Sequence, residues 1–201
     1  METYAIIIAG GVGSRMGFEI PKQFVNVYDK PVLAYTLEGF QRHPGIDHIE
    51  VVCIDGWQDE VAGYVEHYGI TKLFKIVDGG ATGQESIRNG VFELARHLSP
   101  EDIVLVHDGI RPMVSDRIVS DNIETCRKFG NAITVLPSAD ALCRSKDGLV
   151  SEELAERSEL WRTQTPQAVP LGTLVRAHEA ALARGWTNIV ATFALLIKLG
   201  I

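Results

Sequence analysis

The chain has 201 residues, of which 46% are hydrophobic and 22% are charged, so it can bury a substantial core and is not a disordered chain. Lys and Arg total 19 against 26 Asp and Glu, giving a formal charge of -7. That balance argues against a broad basic face for nucleic acid or anionic lipid. An anionic ligand would therefore have to be bound by a local cluster of cations.

The cysteines and the N-terminus indicate a cytoplasmic protein. Cys53, Cys126 and Cys143 make neither a C-x-x-C pair nor a metal-ligand spacing, which favours a reducing compartment. The apolar run 4–9 is too short for a signal-peptide core and has no basic residues before it. No later run approaches the ~20 apolar residues that a membrane-spanning helix needs. We therefore predict no membrane and no nucleic-acid partner.

Short apolar runs alternate with longer amphipathic stretches along the chain. The apolar runs are rich in Ile and Val and predict buried strands at 4–9, 49–54, 73–77, 103–106 and 132–136. The amphipathic stretches predict helices at 31–42, 60–68, 85–97, 116–129 and 171–184. This alternation predicts an α/β fold with a mostly parallel sheet covered by helices on both faces.

The segment 137–170 departs from that alternation because it is rich in charged residues. Lys146, Asp147 and Gly148 could form the turn of a hairpin, so an arm projecting toward a second subunit is one interpretation. A solvated loop is the other. No linker divides the chain, which predicts a single domain over 1–201.

The first strand is followed by a glycine-rich loop, residues 9–17 (AGGVGSRMG). Small residues let backbone N–H groups close around phosphate oxygens. The loop does not match the dinucleotide-binding motif G-x-G-x-x-G, because its third glycine comes one residue late. It also lacks the G-K-[ST] sequence of phosphate-binding loops. The loop is thus a candidate phosphate site, with a purely structural tight turn as the alternative.

Two cations follow in a region with few other charges, Arg15 inside the loop and Lys22 shortly after it. Fixed cations suit a polyphosphate and can stabilise the charge that develops during displacement at phosphorus. Solvated surface cations are the alternative.

The fourth strand ends in His107, Asp108 and Gly109, with Arg111 close behind. Asp108 suits Mg²⁺, which needs one or two carboxylates beside substrate phosphates; a helix N-cap or turn is the alternative. His107 could act as a general base, a structural hydrogen bonder or a packed residue. The loop 78–86 could read a base or bind phosphate, or could be a turn with a helix cap.

Taken together, the motifs resemble one family. A-G-G-x-G-S-R-M-G, P-K-Q-F, G-G-x-x-x-x-x-S, V-H-D-G-I-R-P and Q-T-P-Q have the order and spacing of the sugar-alcohol phosphate cytidylyltransferases. The resemblance implies a Rossmann-like, three-layer α/β/α nucleotidyltransferase fold with a projecting β-arm. It also implies an Mg²⁺-dependent reaction that joins CTP and a polyol phosphate into a CDP-polyol and releases pyrophosphate.

The resemblance also implies roles for individual residues. The expected CTP-binding residues are Ala9, Gly10, Gly11, Gly13, Gly80, Ser86 and Arg111. Arg15 and Lys22 would be catalytic, contacting the phosphates and the transition state, and Asp108 would bind the metal. The expected acceptor-binding residues are Arg111, Arg157 and Thr165. In this family the arm builds a homodimer and can complete the neighbouring subunit's site.

Within the family, Gly10 and Gly11 after Ala9, and Gln164 before Thr165, favour ribitol 5-phosphate as acceptor over 2-C-methyl-D-erythritol 4-phosphate. Gly83 and Ala141 replace an arginine and a threonine, and 189–193 lacks the usual acidic residues. The chain also stops at Ile201, before the family's final strand and helix. These departures keep open a nucleotide-binding relative without catalysis, whereas the shifted glycine disfavours a dinucleotide-dependent oxidoreductase.

Overall fold

A computed structural model describes residues 1–11, 20–151, 153–189 and 191–201. Its centre is a six-stranded sheet with the order β5-β4-β1-β6-β10-β7. The strands of this sheet are β1 (Thr3–Ala9), β4 (His48–Cys53), β5 (Leu73–Asp78), β6 (Ile103–Asp108), β7 (Ala132–Pro137) and β10 (Trp161–Pro170). The α-helices are α1 (Val32–Arg42), α2 (Gln58–His67), α3 (Gly83–Leu94), α4 (Asp116–Phe129), α5 (Leu171–Ala183) and α6 (Thr192–Leu199). Two short pairs, β2 (Asn26–Val27) with β3 (Lys30–Pro31) and β8 (Leu142–Arg144) with β9 (Glu153–Ala155), lie outside the sheet.

The sheet is covered on both faces, as the alternating pattern predicts. Successive residues of β1 point to opposite faces, so Ile7 packs in one apolar cluster and Ile6 in the other. The first cluster includes buried residues of α1, α2 and α4, and the second includes those of α3, α5 and α6. Strands β1, β4, β5 and β6 are parallel, which confirms the α/β prediction.

Each strand and helix predicted above is present, with ends shifted by a few residues. Helix α4 shows why its ends are readable from sequence. The Ser115 hydroxyl accepts a hydrogen bond from the Ile118 amide at the N-terminus, and Gly130 at the C-terminus has a left-handed φ of 92°. Helix α6 and the short 3-10 helix Lys22–Phe24 were not predicted.

The segment 137–170, which the sequence analysis places outside the alternating pattern, is longer than the part of the chain that leaves the sheet. Its final part returns as β10, which lies inside the sheet between β6 and β7 and runs antiparallel to both. The alternating pattern of β10 is obscured because its register shifts between Thr163 and Gln167, and its first two residues are exposed. Of this stretch, the described residues 138–151 and 153–160, hereafter the hairpin segment, lie outside the central sheet.

The predicted turn at Lys146–Gly148 is present between β8 and β9. The Asp147 carboxylate accepts hydrogen bonds from the amides of Leu149 and Val150, which lower the pKa of Asp147, and Gly148 has a φ of 75°.

Among the helices in the described ranges, none has the length and apolar character needed to cross a membrane.

Candidate active site

The loops predicted to bind ligand leave the sheet at one edge, where the parallel strands end. Backbone hydrogen bonds tie these loop starts together: the Gly79 amide donates to the Cys53 carbonyl, and the Gly109 amide donates to the Ile8 carbonyl at 2.9 Å. Ligands of open parallel sheets bind at this carboxyl edge. The structure therefore brings the loops after β1, β5 and β6 to one place.

The loop after β1 contacts the loop after β5 through small residues. A Cβ on Gly10 would lie 2.9 Å from the Ser86 Oγ, and a Cβ on Gly79 would lie 3.0 Å from the Cys53 carbonyl oxygen. Both positions therefore favour glycine because a side chain would meet its neighbours. Ser86 accepts a hydrogen bond from the Gly80 amide at 3.0 Å and donates one to the Thr82 carbonyl at 3.1 Å.

The loop after β5 also forms the cap of α3. The Thr82 hydroxyl accepts a hydrogen bond from the Glu85 amide at 3.1 Å, and the Glu85 carboxylate accepts one from the Ala81 amide at 2.9 Å. These reciprocal bonds fix the start of α3 and with it Ser86. The helix-cap interpretation of this loop is therefore confirmed, and it is compatible with a ligand-binding role for the adjacent Gly80.

Lys22 lies on a segment that is anchored to the end of β1. The neighbouring Gln23 is 1% exposed, and its Nε2 donates to the Ala9 carbonyl at 2.7 Å. Phe24 stacks on Trp57 with ring centroids 4.3 Å apart. These contacts place the half-buried Lys22 near the end of β1. Gly13 and Arg15, which the sequence analysis also assigns to this loop, lie outside the described residues.

Asp108 and Arg111 form an ion pair at the end of β6. The Arg111 Nε donates to the Asp108 Oδ2 at 2.7 Å, and its Nη1 donates to the Gln164 Oε1 at 2.6 Å. The Asp108 amide donates to the Thr165 hydroxyl at 3.3 Å. The side chains of Arg111 and Asp108 remain 45% and 41% exposed, so both can still contact a ligand.

His107 is buried and makes a structural hydrogen bond. Its ring lies 4.9 Å from that of Phe40, and its Nε2 is 3.0 Å from the Arg111 carbonyl oxygen. Burial lowers the pKa of His107 to about 4, so the ring is neutral at pH 7 and the Nε2–H donates to that carbonyl. Its contribution is to fix the turn that carries Arg111.

A cleft of about 240 Å³ opens beside this ion pair. Its polar lining comes from three elements: the end of β6, the start of β10 and the start of α6. The residues concerned are Asp108, Arg111, Thr163, Gln164, Thr165, Gln167 and Thr192. Arg157 does not line this cleft; it lies in the hairpin segment, in the short 3-10 helix Arg157–Glu159.

The described part of the chain contains no cluster of three or more His, Cys, Asp or Glu side chains that could hold a metal ion alone. Asp108 is nevertheless a suitable single ligand because its carboxylate is partly exposed and only its Oδ2 is bound by Arg111. Mg²⁺ commonly takes one or two protein carboxylates together with phosphates and water. The residues therefore fit a magnesium ion whose remaining ligands come from the substrate.

Sequence reasoning missed the roles of two glutamines, Gln167 at the cleft and Gln23 at the end of β1. Gln167 is 4% exposed; its Nε2 donates to the Gln164 carbonyl at 3.2 Å, and its Oε1 accepts from the Phe193 amide at 3.1 Å. Gln23 similarly holds the end of β1. The Q-T-P-Q motif identified this region of the sequence, but it did not indicate which atoms its two glutamines bind.

Comparison with known proteins identifies the family. A family model described as 2-C-methyl-D-erythritol 4-phosphate cytidylyltransferase matches residues 3–200. The chain belongs to this family. The family predicted from the motifs is thus confirmed over almost the full length of the sequence.

Relatives in this cytidylyltransferase family carry two different names. The chain is 42% identical over 198 residues to a ribitol-5-phosphate cytidylyltransferase of Lacticaseibacillus paracasei, covering 98% of this chain and 85% of that one. It is 38% identical over 186 residues to a 2-C-methyl-D-erythritol 4-phosphate cytidylyltransferase of Syntrophotalea carbinolica, covering 90% and 77%.

A solved structure supports the same fold assignment. The 4-diphosphocytidyl-2C-methyl-D-erythritol synthase of Anaerococcus prevotii matches with a TM-score of 0.84 and 27% identity, over 99% of this chain and 82% of that one. The three-layer nucleotidyltransferase fold predicted from the motifs is therefore confirmed.

Proposed function

We propose that this chain is a CTP:polyol-phosphate cytidylyltransferase, acting as a single nucleotidyltransferase domain, with ribitol 5-phosphate as its acceptor. The observation that carries the proposal is the Asp108–Arg111–Gln164 chain of hydrogen bonds beside Thr165, at the sheet edge where the Gly10 and Gly80 loops meet. It occurs in a chain that is 42% identical to a ribitol-5-phosphate cytidylyltransferase.

The nucleotide would bind across the loops after β1 and β5. Ala9, Gly10, Gly11 and Gly13 are proposed to surround CTP, with backbone amides directed at its phosphates. Gly80 and Ser86 would contact the cytosine or ribose side. Arg15 and Lys22 would neutralise charge on the α-phosphoryl group as the transition state forms. The Gln23–Ala9 hydrogen bond supports the placement of Lys22.

The chemistry is an in-line displacement at phosphorus. A phosphate oxygen of the polyol phosphate attacks the α-phosphorus of CTP, and the bond from that phosphorus to the bridging oxygen breaks. Pyrophosphate leaves with the electron pair of that bond. A phosphate monoester is already an anion at neutral pH, so this step needs no general base.

Asp108 is proposed to hold Mg²⁺, using the part of its carboxylate that Arg111 leaves accessible. When bound, the ion would neutralise charge on the triphosphate. Arg111 would lie between nucleotide and acceptor, where its guanidinium can contact phosphate oxygens of either. The hydrogen bonds to Asp108 and Gln164 orient that guanidinium before substrate binds.

The acceptor side would be completed by a second copy of the chain. The hairpin segment and its flanks expose apolar side chains that a partner could cover, among them Leu142, Leu149, Leu154 and Trp161. We propose that this surface forms a homodimer and that Arg157 binds the acceptor phosphate in the neighbouring subunit's site beside Thr165. Changing Leu154 to Asp should then convert a dimer to a monomer in analytical ultracentrifugation.

The second candidate acceptor is 2-C-methyl-D-erythritol 4-phosphate, favoured by the 38% identity to an enzyme named for it. A pyrophosphate-release assay with CTP, Mg²⁺ and each polyol phosphate separates the two. We expect the higher kcat/KM with ribitol 5-phosphate. CTP binding in calorimetry without pyrophosphate release from any polyol phosphate would instead indicate a nucleotide-binding relative without catalysis.

A further inference from the structure

The Arg111–Gln164 contact forms a wall between two clefts. Arg111, Gln164 and Thr165 line the 240 Å³ cleft at the end of β6, and the same residues line a second opening of about 370 Å³. The second opening is bordered by apolar residues such as Pro112 and Leu136. The side chain of Gln164 therefore borders the same space as Asp108 and Thr165 in the first cleft.

The carboxamide of Gln164 is used on one side only. Its Oε1 accepts the hydrogen bond from Arg111 Nη1 at 2.6 Å, which fixes the amide orientation because an arginine can only donate. Within the described ranges, the Gln164 Nε2 makes no hydrogen bond to the protein. Its two N–H donors are therefore available at the cleft wall, and the side chain is half-buried rather than free in solvent.

The backbone below this side chain is held in place. The buried Gln167 binds the Gln164 carbonyl through Nε2 and the Phe193 amide through Oε1. It thereby links the start of β10 to the start of α6. A carboxamide on such a supported backbone, with its oxygen already bound, is pre-oriented for a ligand.

We propose that Gln164 selects the acceptor, its oxygen holding Arg111 and its N–H donors binding a hydroxyl of the polyol chain. This inference rests on the proposed cytidylyltransferase function. Ribitol 5-phosphate carries four hydroxyls on a five-carbon chain, whereas 2-C-methyl-D-erythritol 4-phosphate carries three hydroxyls and an apolar methyl branch on a four-carbon chain. A donor positioned for the additional hydroxyl would therefore have no partner in the methylated acceptor. A site that donates to a substrate hydroxyl discriminates strongly against a molecule that leaves those donors unpaired.

Two substitutions separate the parts of this role. Gln164→Leu removes both the oxygen and the donors, whereas Gln164→Glu keeps an oxygen for Arg111 and removes the donors. Gln58→Leu serves as the control, because Gln58 makes a single exposed side-chain hydrogen bond, to Asp78. For each variant, kcat/KM is measured by pyrophosphate release with ribitol 5-phosphate and with 2-C-methyl-D-erythritol 4-phosphate, at saturating CTP.

We expect Gln164→Leu and Gln164→Glu to lower kcat/KM for ribitol 5-phosphate by about tenfold or more, and to lower it for the methylated acceptor by a smaller factor. The KM for CTP should stay within about twofold of the wild-type value. A loss of packing alone would lower kcat/KM for both acceptors by the same factor. An unchanged ratio between the two acceptors in both variants would therefore overturn the proposed selection by Gln164.

Failure of the underlying function gives a different result. If the wild-type chain releases pyrophosphate with neither acceptor, the proposed function is wrong, and calorimetric binding of the two polyol phosphates then decides the role of Gln164. Weaker binding of ribitol 5-phosphate alone in Gln164→Leu would support it. Equal affinity in wild type and variant would contradict it.

Discussion

The two sides of the central sheet are built differently. From β5 to β6 the strands are parallel, and the strands β1 and β4 are buried along almost their whole length. From β10 to β7 the pairing is antiparallel, the register shifts between Thr163 and Gln167, and Trp161 is 56% exposed. In the proposed function the parallel side binds the nucleotide and the irregular side binds the acceptor.

This difference indicates how each side controls its ligand. On the parallel side, strand pairing and close contacts such as Gly10 with Ser86 set the backbone positions, so the ligand would be bound largely by main-chain groups. On the irregular side, glutamine side chains add hydrogen bonds where the strand pairing is interrupted. Substitutions on the irregular side should therefore alter acceptor choice more than those on the parallel side.

The largest effect should come from Glu50 in β4, on the parallel side. Its carboxyl group is 0% exposed, and both oxygens lack hydrogen-bond partners among the described residues. Burial, reinforced by Glu93 and opposed by Lys75, raises the pKa of Glu50 to about 9. The folded protein therefore keeps this proton at pH values where the unfolded chain, with a pKa of about 4.3, releases it.

The free energy of unfolding should consequently fall as pH rises from about 5 to about 9, by up to ~1.4 kcal/mol per pH unit from this group alone. In Glu50→Gln that contribution should vanish. Urea unfolding of the wild type and of Glu50→Gln between about pH 5 and pH 9 measures this contribution to the free energy of unfolding. Identical pH slopes for wild type and variant would show that Glu50 is ionised in the folded state.

On the irregular side, Gln167→Leu should destabilise the fold by about 2 kcal/mol or more, because it leaves the Gln164 carbonyl and the Phe193 amide without their partner. The matched control is Gln58→Leu, which removes one exposed hydrogen bond to Asp78 and should change stability by less than ~0.5 kcal/mol. Equal midpoints of urea unfolding for the two variants would contradict a structural role for Gln167.

The parallel side could be predicted from the sequence because its signals are local. Runs such as 4–9 and 103–106 are continuously apolar, and Thr82 caps the N-terminus of α3, which packs on this side. The loops at the carboxyl edge then follow from the parallel topology. The glycines of 10–11 and 79–80 were identified in this way before their contacts were known.

On the irregular side β7 was predicted, but β10 could not be, because its order depends on contacts distant in sequence. The polar residues 162–164 are typical of a loop in the sequence, but Arg162 and Thr163 pair with β7, more than twenty residues earlier. The hydrogen bond from Arg111 to Gln164 spans 53 positions. Neither feature produces a periodic pattern in the sequence. The course of β10 and the hydrogen-bond partners of Gln164 and Gln167 are therefore seen only in the structure.

Lys22→Ala tests the nucleotide side directly. The substitution should lower turnover by more than about tenfold, a loss of at least ~1.4 kcal/mol of transition-state stabilisation, with a smaller effect on CTP affinity. Arg15→Ala should act in the same direction. Lys128→Ala, at the end of α4, removes a cation away from the cleft and is the control. Unchanged kcat in both Lys22→Ala and Arg15→Ala would reject their proposed roles.

The smallest effect on stability should come from Gly148→Ala in the turn of the hairpin segment. Its φ of 75° costs a residue with a side chain about 1 kcal/mol, but the turn is exposed and lies outside the sheet. Hydrogen exchange at Leu149 and Val150, whose amides bind the Asp147 carboxylate, should therefore accelerate while the global unfolding midpoint moves little. The hairpin segment carries Arg157. If kcat/KM for the polyol phosphate also falls in Gly148→Ala while the KM for CTP is unchanged, the substitution acts on the acceptor side of the site.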